Sequence, residues 1–386
     1  MRLYCNWPVW GQSGWEVICR SLLLALDKLG VTIYLESKDD WNYENIELDR
    51  EDSFRLQRMQ DCRFDLKDCD AHLFQQYVPG SYLTSPKAKT TAKKICMSLF
   101  ETDRCPNAWI PGFSMIDEVW TFSKFNKESW EKSRLKNIKV MPFGIDGKIF
   151  NPDVKPIDVK GRKTFMFIAN GDFTERKWFE GLIEAFVTEF NRDDDVCLLI
   201  KAHYGGFIRP QKDAVIEVIR NIAYRFNRVN PPTVLYIGDK VPYEEMGKFY
   251  KAGSCYVLAS RGEGLGLPYA EALACGVPVI STRFGGQMEF LNDENAFFVD
   301  YDLQLIYDLE YLKKCLWAVN SCWAQPKLLS LRATMRFILD FYELAQKKAL
   351  KGAEDMKERT WQKAALWCIK RILELQGKKN KEEVQV

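Results

Sequence analysis

Histidine is nearly missing from this chain: His72 and His203 are the only two in 386 residues. That argues against a histidine-built metal site, since catalytic zinc centres commonly draw on two or three imidazoles. A charge excess is missing too. With 55 basic and 53 acidic side chains the net charge is +2, so no global field points to nucleic acid. No apolar run approaches the roughly 20 residues of a membrane span. No C-x-x-C pair occurs among the twelve cysteines. They are scattered singly, several in apolar segments (Cys96, Cys197, Cys255), and buried free thiols in a reducing compartment are expected rather than disulfides or zinc. The N-terminal residues Met1 to Trp7 run straight into a strand-like pattern without the build of a signal peptide. A cytoplasmic location is expected, with peripheral membrane contact left open. What is present is a soluble globular composition, 47% apolar and 28% charged, in a chain long enough for two domains.

Strand-like and helix-like segments alternate along it. In the first half, strands are predicted at Leu3 to Trp7, Thr32 to Glu36, Ala71 to Phe74, Lys94 to Leu99, Glu118 to Phe122 and Ile138 to Met141. Helices are predicted at Trp15 to Leu29 and at Asn126 to Leu135, with Asn126 as its cap. Asp39 to Asp61 reads as helix and loop. Two prolines in Asn151 to Asp158 mark a linker. Strands follow at Thr164 to Ala169, Cys197 to Lys201, Val234 to Gly238, Cys255 to Ala259, Val279 to Ser281 and Phe297 to Asp300. The intervening helices are predicted at Lys177 to Phe190, Lys212 to Phe226, Tyr243 to Ala252, Pro268 to Cys275 and Gln287 to Leu291. This order predicts an α/β protein with two doubly wound parallel sheets. From Leu303 on, the chain reads as helical. Trp361 to Leu375 is amphipathic and suits a helix packed across both domains better than a membrane-surface helix.

One segment concentrates the chemistry: Ser260 to Glu271, reading S-R-G-E-G-L-G-L-P-Y-A-E. Glu263 and Glu271 stand eight positions apart, with three glycines around the first and Pro268 at the expected helix start. Glu263 falls at the carboxyl end of a strand, where open α/β sheets bind ligands. Glu271 falls in the helix's first turn. The spacing is not G-x-G-x-x-G, which weakens a nicotinamide reading. Upstream, Arg176 and Lys177 are expected to open a helix, a placement that suits a bound anion; a solvated basic pair beside Glu175 is the plain alternative. Near the N-terminus, Trp10-Gly11-Gln12-Ser13-Gly14 joins strand to helix, either as a ligand loop or as a cap through Ser13. Glu101 and Asp103 follow a strand, facing a ligand or salt-bridged in a loop. Asp68-Cys69-Asp70 and Asp193-Asp194-Asp195 read as turns.

Together these pieces resemble the retaining nucleotide-sugar glycosyltransferases of family 4, the glycosyl transferases group 1, with the two-domain GT-B fold. The resemblance rests on Glu263 through Glu271 as E-x7-E, then Ala272 to Ile280 with Gly276-Val277-Pro278, then Gly285-Gly286 with Glu289. The Arg176-Lys177 pair, Pro142 to Asp146 with Phe150, and Trp361 add to it. It implies domains at 1–152 (acceptor side) and 153–355 (nucleotide-sugar donor side), a crossing helix at 356–376 and a disordered tail at 377–386. The two Rossmann-like domains would face each other across a cleft. The implied reaction is hexose transfer with retention, from a UDP- or GDP-linked sugar to an acceptor hydroxyl on a glycan, lipid-linked or protein-linked acceptor. No metal and no cofactor beyond the donor are implied. Glu263 would bind the donor sugar and Glu271 the ribose. Arg176 and Lys177 would neutralise the leaving diphosphate, helped by N–H groups near Gly264, Gly266 and Leu267, with Gly14 near the phosphates or the acceptor. Many members place an arginine five residues before the lysine, where this chain has Asp172. Many carry a histidine where it offers Glu101 and Asp103, and Asp103 is taken as the acid near the acceptor. A GT-B epimerase or phosphorylase, and a catalytically silent sugar-nucleotide-binding subunit, are the alternatives.

Overall fold

The computed structural model describes residues 1–37, 48–75, 83–203, 212–226, 230–239 and 241–377. These fall into two units. One holds Met1–Phe100, Arg104–Asp146 and the described residues from Arg359 on; the other holds Glu101–Asp103 and Gly147–Glu358. Part of the loops expected at Asp39 to Asp61 and Val78 to Lys89, and the tail beyond residue 377, lie outside the described residues.

The first unit is built on β1 (Arg2–Trp7), β2 (Thr32–Ser37), β3 (Ala71–Gln75), β4 (Lys93–Met97), β5 (Glu118–Thr121) and β6 (Ile138–Val140). All pairs are parallel, in the order β2-β1-β3-β4-β5-β6. Leu3, Tyr4 and Cys5 are consecutive and all buried, the mark of a parallel strand covered on both faces. The helix Trp361–Leu375 packs on the helix Gly14–Lys28 of this unit. Its apolar face, Trp361, Ala364, Ala365, Cys368 and Ile372, is buried. Arg371 grips the buried Glu118, Nε to Oε2 at 2.9 Å, and Glu118 also accepts from the Trp120 indole at 3.0 Å. Helix Lys124–Lys132 starts earlier than expected. Ser123, not Asn126, caps it, accepting from the Asn126 N–H at 3.3 Å. The Asn126 amide is spent instead on the Phe100 carbonyl, at 2.7 Å.

The second unit is built on β7 (Phe165–Asp172), β8 (Val196–His203), β9 (Thr233–Ile237), β10 (Cys255–Leu258), β11 (Val279–Thr282) and β12 (Phe297–Val299). It is again parallel, in the order β12-β11-β10-β7-β8-β9. The order reverses between β7 and β10. The carboxyl ends of those two strands therefore flank the switch point, where doubly wound sheets take their ligands. The two-sheet α/β architecture is the one expected.

The expectation of a purely helical region from Leu303 is corrected. β13 (Tyr301–Leu305) and β14 (Cys322–Pro326) pair as an antiparallel ribbon, Tyr301 opposite Pro326. The segment between them closes over a small core of Ile306, Ala318 and Trp323. The helix expected at Gln287 to Leu291 is a single 3-10 turn, Gly286–Glu289. No disulfide joins any of the twelve cysteines. Among the described residues, no helix is long and apolar enough to cross a membrane.

Candidate active site

The site grows from the loops after β7 and β10. The helix after β7 runs Phe179–Glu189, so Arg176 and Lys177 stand ahead of it rather than opening it. Trp178 separates them from the helix in a left-handed conformation, φ 53°. Such a backbone costs a large L-residue roughly 1 kcal/mol or more. Its indole lies over Gly181, where an added Cβ would come within 1.9 Å of the ring. The helix start carries no side-chain cap. The turn ahead of it, closed by Lys177 N–H on the Thr174 carbonyl at 3.0 Å, sends both cations toward the loop after β10.

There they meet Glu263. Lys177 Nζ lies 2.6 Å from Glu263 Oε1, and Arg176 Nη1 lies 3.2 Å from Oε2. Arg176 Nη1 also donates to the Gly262 carbonyl at 2.6 Å, and Nη2 stands 3.9 Å from Glu101. Lys177 and Glu263 are 7% and 6% exposed. Burial pushes the Glu263 carboxyl up, but Lys177 and Arg176 outweigh it and hold the group below its ordinary range. Burial likewise works against the Arg176 charge, and Glu263 with Glu101 more than restores it. Glu101 goes the other way: burial raises its carboxyl, against the pull of Arg176. The result is a buried cluster of two cations and two acids at the switch point.

The glycine loop makes this packing feasible. A Cβ on Gly262 would stand 2.1 Å from the Glu101 carbonyl oxygen, so only glycine lets that backbone approach. Gly266, at φ 82°, ends the loop and precedes the helix Leu267–Ala274, which makes Leu267 its first residue and Pro268 its second. Gly264, Gly266 and Leu267 are all buried here. Gln287 lies against Gly266 and is fixed by donating to the Phe284 carbonyl at 2.7 Å.

Glu271 forms a second centre. Its Oε2 accepts from the Tyr250 hydroxyl at 2.7 Å, and Asn170 Oδ1 lies 3.3 Å from that hydroxyl. Burial pushes the Glu271 carboxyl up to about 7, opposed by the Tyr250 hydrogen bond and the field of Lys201. Glu263 and Glu271 thus share a loop and helix but carry opposite shifts.

The structure brings Arg176, Lys177, Glu263 and Glu101 together. It turns Asp103 elsewhere: its Oδ1 accepts from Cys322 N–H at 2.6 Å, and its own N–H donates to the Cys322 carbonyl at 3.0 Å. Asp103 therefore ties the chain to β14. Gly14 belongs to the first unit, as the first residue of its helix. Tyr250, Asn170 and Lys201 were not among the expected site residues. Asn170 and Lys201 do carry a signal: each is a polar side chain at the carboxyl end of an apolar strand, and the two are opposite in register. Among the described residues, no group of three His, Cys, Asp or Glu could hold a metal ion.

Residues 162–308, all in the second unit, match the family described as glycosyl transferases group 1. A curated relative, alpha-monoglucosyldiacylglycerol synthase of Streptococcus pneumoniae, is 28% identical over 151 residues, 37% of this chain and 32% of the relative. The chain thus spans about a third of that relative's length. Two solved structures align over nearly its whole length. Sucrose-phosphate synthase of Thermosynechococcus elongatus has a TM-score of 0.70 at 16% identity, covering 98% of this chain and 100% of the other. HepE of Anabaena, in complex with UDP-glucose, has a TM-score of 0.65 at 11% identity, covering 97% and 100%. The fold these structures share is the two-domain α/β GT-B fold. The family match lies in the second unit, which holds the cluster around Glu263.

Proposed function

We propose that this protein transfers a hexose, with retention, from a UDP- or GDP-linked sugar to an acceptor hydroxyl on a glycan or glycoconjugate. The observation that carries this reading is the buried cluster in which Glu263 spans Lys177 and Arg176 at the switch point. A departing nucleoside diphosphate concentrates negative charge, and two buried cations are a preorganised counter-charge for it. Both are already held in place by Glu263, so little reorganisation is left for the moment of reaction.

As the bond from the anomeric carbon to the diphosphate breaks, the growing charge falls to Lys177 and Arg176. Glu263 then shares these cations with the phosphate and accepts from hydroxyls of the sugar. N–H groups of Gly264, Gly266 and Leu267 reach the diphosphate, and Glu271 accepts from the ribose. The acceptor hydroxyl attacks from the face the diphosphate leaves, and the diphosphate takes its proton. No protein base is required for that step, and no residue here is assigned as one. Of the two acids expected near the acceptor, we take Glu101, because Asp103 is engaged with Cys322. The UDP and UDP-glucose named with HepE make UDP-sugars the first donors to try.

The test is transfer of labelled sugar from UDP-glucose, UDP-N-acetylglucosamine and GDP-mannose to glycan and lipid-linked acceptors. The anomeric configuration of the product is read by NMR. Transfer with an α-linkage from an α-linked donor supports the reading. An inverted product overturns retention, and tight nucleotide binding without transfer to any acceptor overturns the activity.

A further inference from the structure

Lys201 is a half-buried charge in this region that the reaction above does not use. It lies near the end of the apolar run of β8, and the parallel register sets it opposite Asn170, with Ala202 opposite Gly171. The stem of Lys177 passes over Gly171, its Cε 3.4 Å from where a Cβ would stand. On the same strand ends, Asn170 borders the Tyr250–Glu271 pair. Lys201 therefore shares the carboxyl edge of β7 and β8 with both the diphosphate cation and the ribose acid.

Among the described residues, its ammonium has no ion pair and no hydrogen bond. Burial lowers its affinity for the proton, and Asp172 and Glu271 act on it only through space. A partly desolvated ammonium without a bonded partner is costly, so such a lysine is kept where an anion arrives to meet it.

We propose that Lys201 binds the phosphate nearest the ribose of a nucleoside diphosphate, while Lys177 and Arg176 hold the distal one. This rests on the donor reading above and deepens it. The nucleoside would then be held from two sides, with Glu271 accepting from ribose hydroxyls and the Lys201 ammonium donating to the adjoining phosphate oxygen. A charge-assisted bond to phosphate is short and directional, and roughly twice as strong as a neutral one.

The experiment is calorimetric titration of wild type, Lys201→Met and Lys177→Met with UDP, UMP, GDP and GMP. Lys201→Met is expected to weaken the mono- and diphosphate of the accepted base alike, by about 10-fold or more. Lys177→Met is expected to weaken the diphosphate and leave the monophosphate within about threefold. The melting temperature is the control. Methionine removes a half-buried charge that no described side chain bonds, so Lys201→Met should melt no lower than wild type, whereas a merely structural lysine would lower it. If the methionine variant does not fold, Lys201→Gln serves the same comparison.

Unchanged affinities for both ligands in a Lys201 variant would overturn the proposal, and so would loss of the diphosphate alone. A wild type that binds none of the four nucleotides would instead overturn the donor reading itself.

Discussion

Each unit has a loop leading from its first strand into its first helix, and the two are spent differently. In the first unit, Ser13 accepts from the Glu16 N–H at 3.4 Å, and Glu16 returns a bond to the Ser13 N–H at 2.9 Å. Arg20, 4% exposed, donates to the Val9 and Gly11 carbonyls at 2.7 and 2.9 Å. That loop satisfies itself. In the second unit, the corresponding turn has no side-chain cap, a left-handed Trp178, and two cations committed to an acid in the loop after β10. The first arrangement favours stability and the second stores strain and charge. Local rules are broken where chemistry is expected, and kept where the scaffold only has to fold.

The comparison can be broken from either side. The largest effect is expected from Lys177→Ala, which in the proposed reaction removes a cation from the departing diphosphate. Turnover should fall about 10²-fold or more, measured as kcat for transfer; full turnover would remove Lys177 from the mechanism. Gly262→Ala comes next. Its Cβ would press on the Glu101 carbonyl, so a loss of about 1–3 kcal/mol of stability is expected together with weaker nucleotide binding, read by denaturant unfolding and calorimetry.

Glu271→Gln tests the second centre through pH. The folded carboxyl keeps its proton up to about 7, from a reference of 4.5. Between those values the folded state binds more protons than the unfolded one, so wild-type stability falls as pH rises through that window. Glutamine cannot ionise. It should therefore be more stable than wild type at pH 8, by up to about 3 kcal/mol at about 1.4 kcal/mol per unit, and gain nothing at pH 4. An equal difference at both pH values would contradict the shift. Glu263, whose carboxyl is lowered, has the opposite sign: its contribution is present at neutral pH and lost only in acid.

The smallest effect belongs to the self-satisfied loop. Ser13→Ala should cost about 1 kcal/mol by loss of the cap, seen in the melting temperature, and leave nucleotide affinity unchanged. A drop in affinity would give that loop a ligand after all.

Much of the second unit was legible in the residues themselves. The apolar run Cys255 to Ala259 followed by a glycine-bounded acid is a local pattern, and it put Glu263 at a strand's carboxyl end. The same held for Arg176 and Lys177 after β7, although their turn was not legible. A helix reading starting at Lys177 ignores Trp178, whose left-handed backbone depends on its contact with Gly181. That Asp103 bonds elsewhere while Glu101 stands beside Arg176 was not legible either. It turns on Cys322, 219 positions away from Asp103. The ribbon of β13 and β14 escaped because neither strand is long or strongly alternating, and each depends on the other.

The sequence by itself determined the alternation of strand and helix, the two-sheet class and the acids and cations of the loops after β7 and β10. Those follow from side-chain period, glycine placement and cap chemistry, which act within a few residues. Tertiary structure alone decided that Lys177 and Arg176 close on Glu263, that Glu271 takes Tyr250 as its partner, that Asp103 is drawn to β14, and that Lys201 is left without one among the described residues. Those outcomes come from strand order and burial, which join residues distant in the chain and set the charge each can keep.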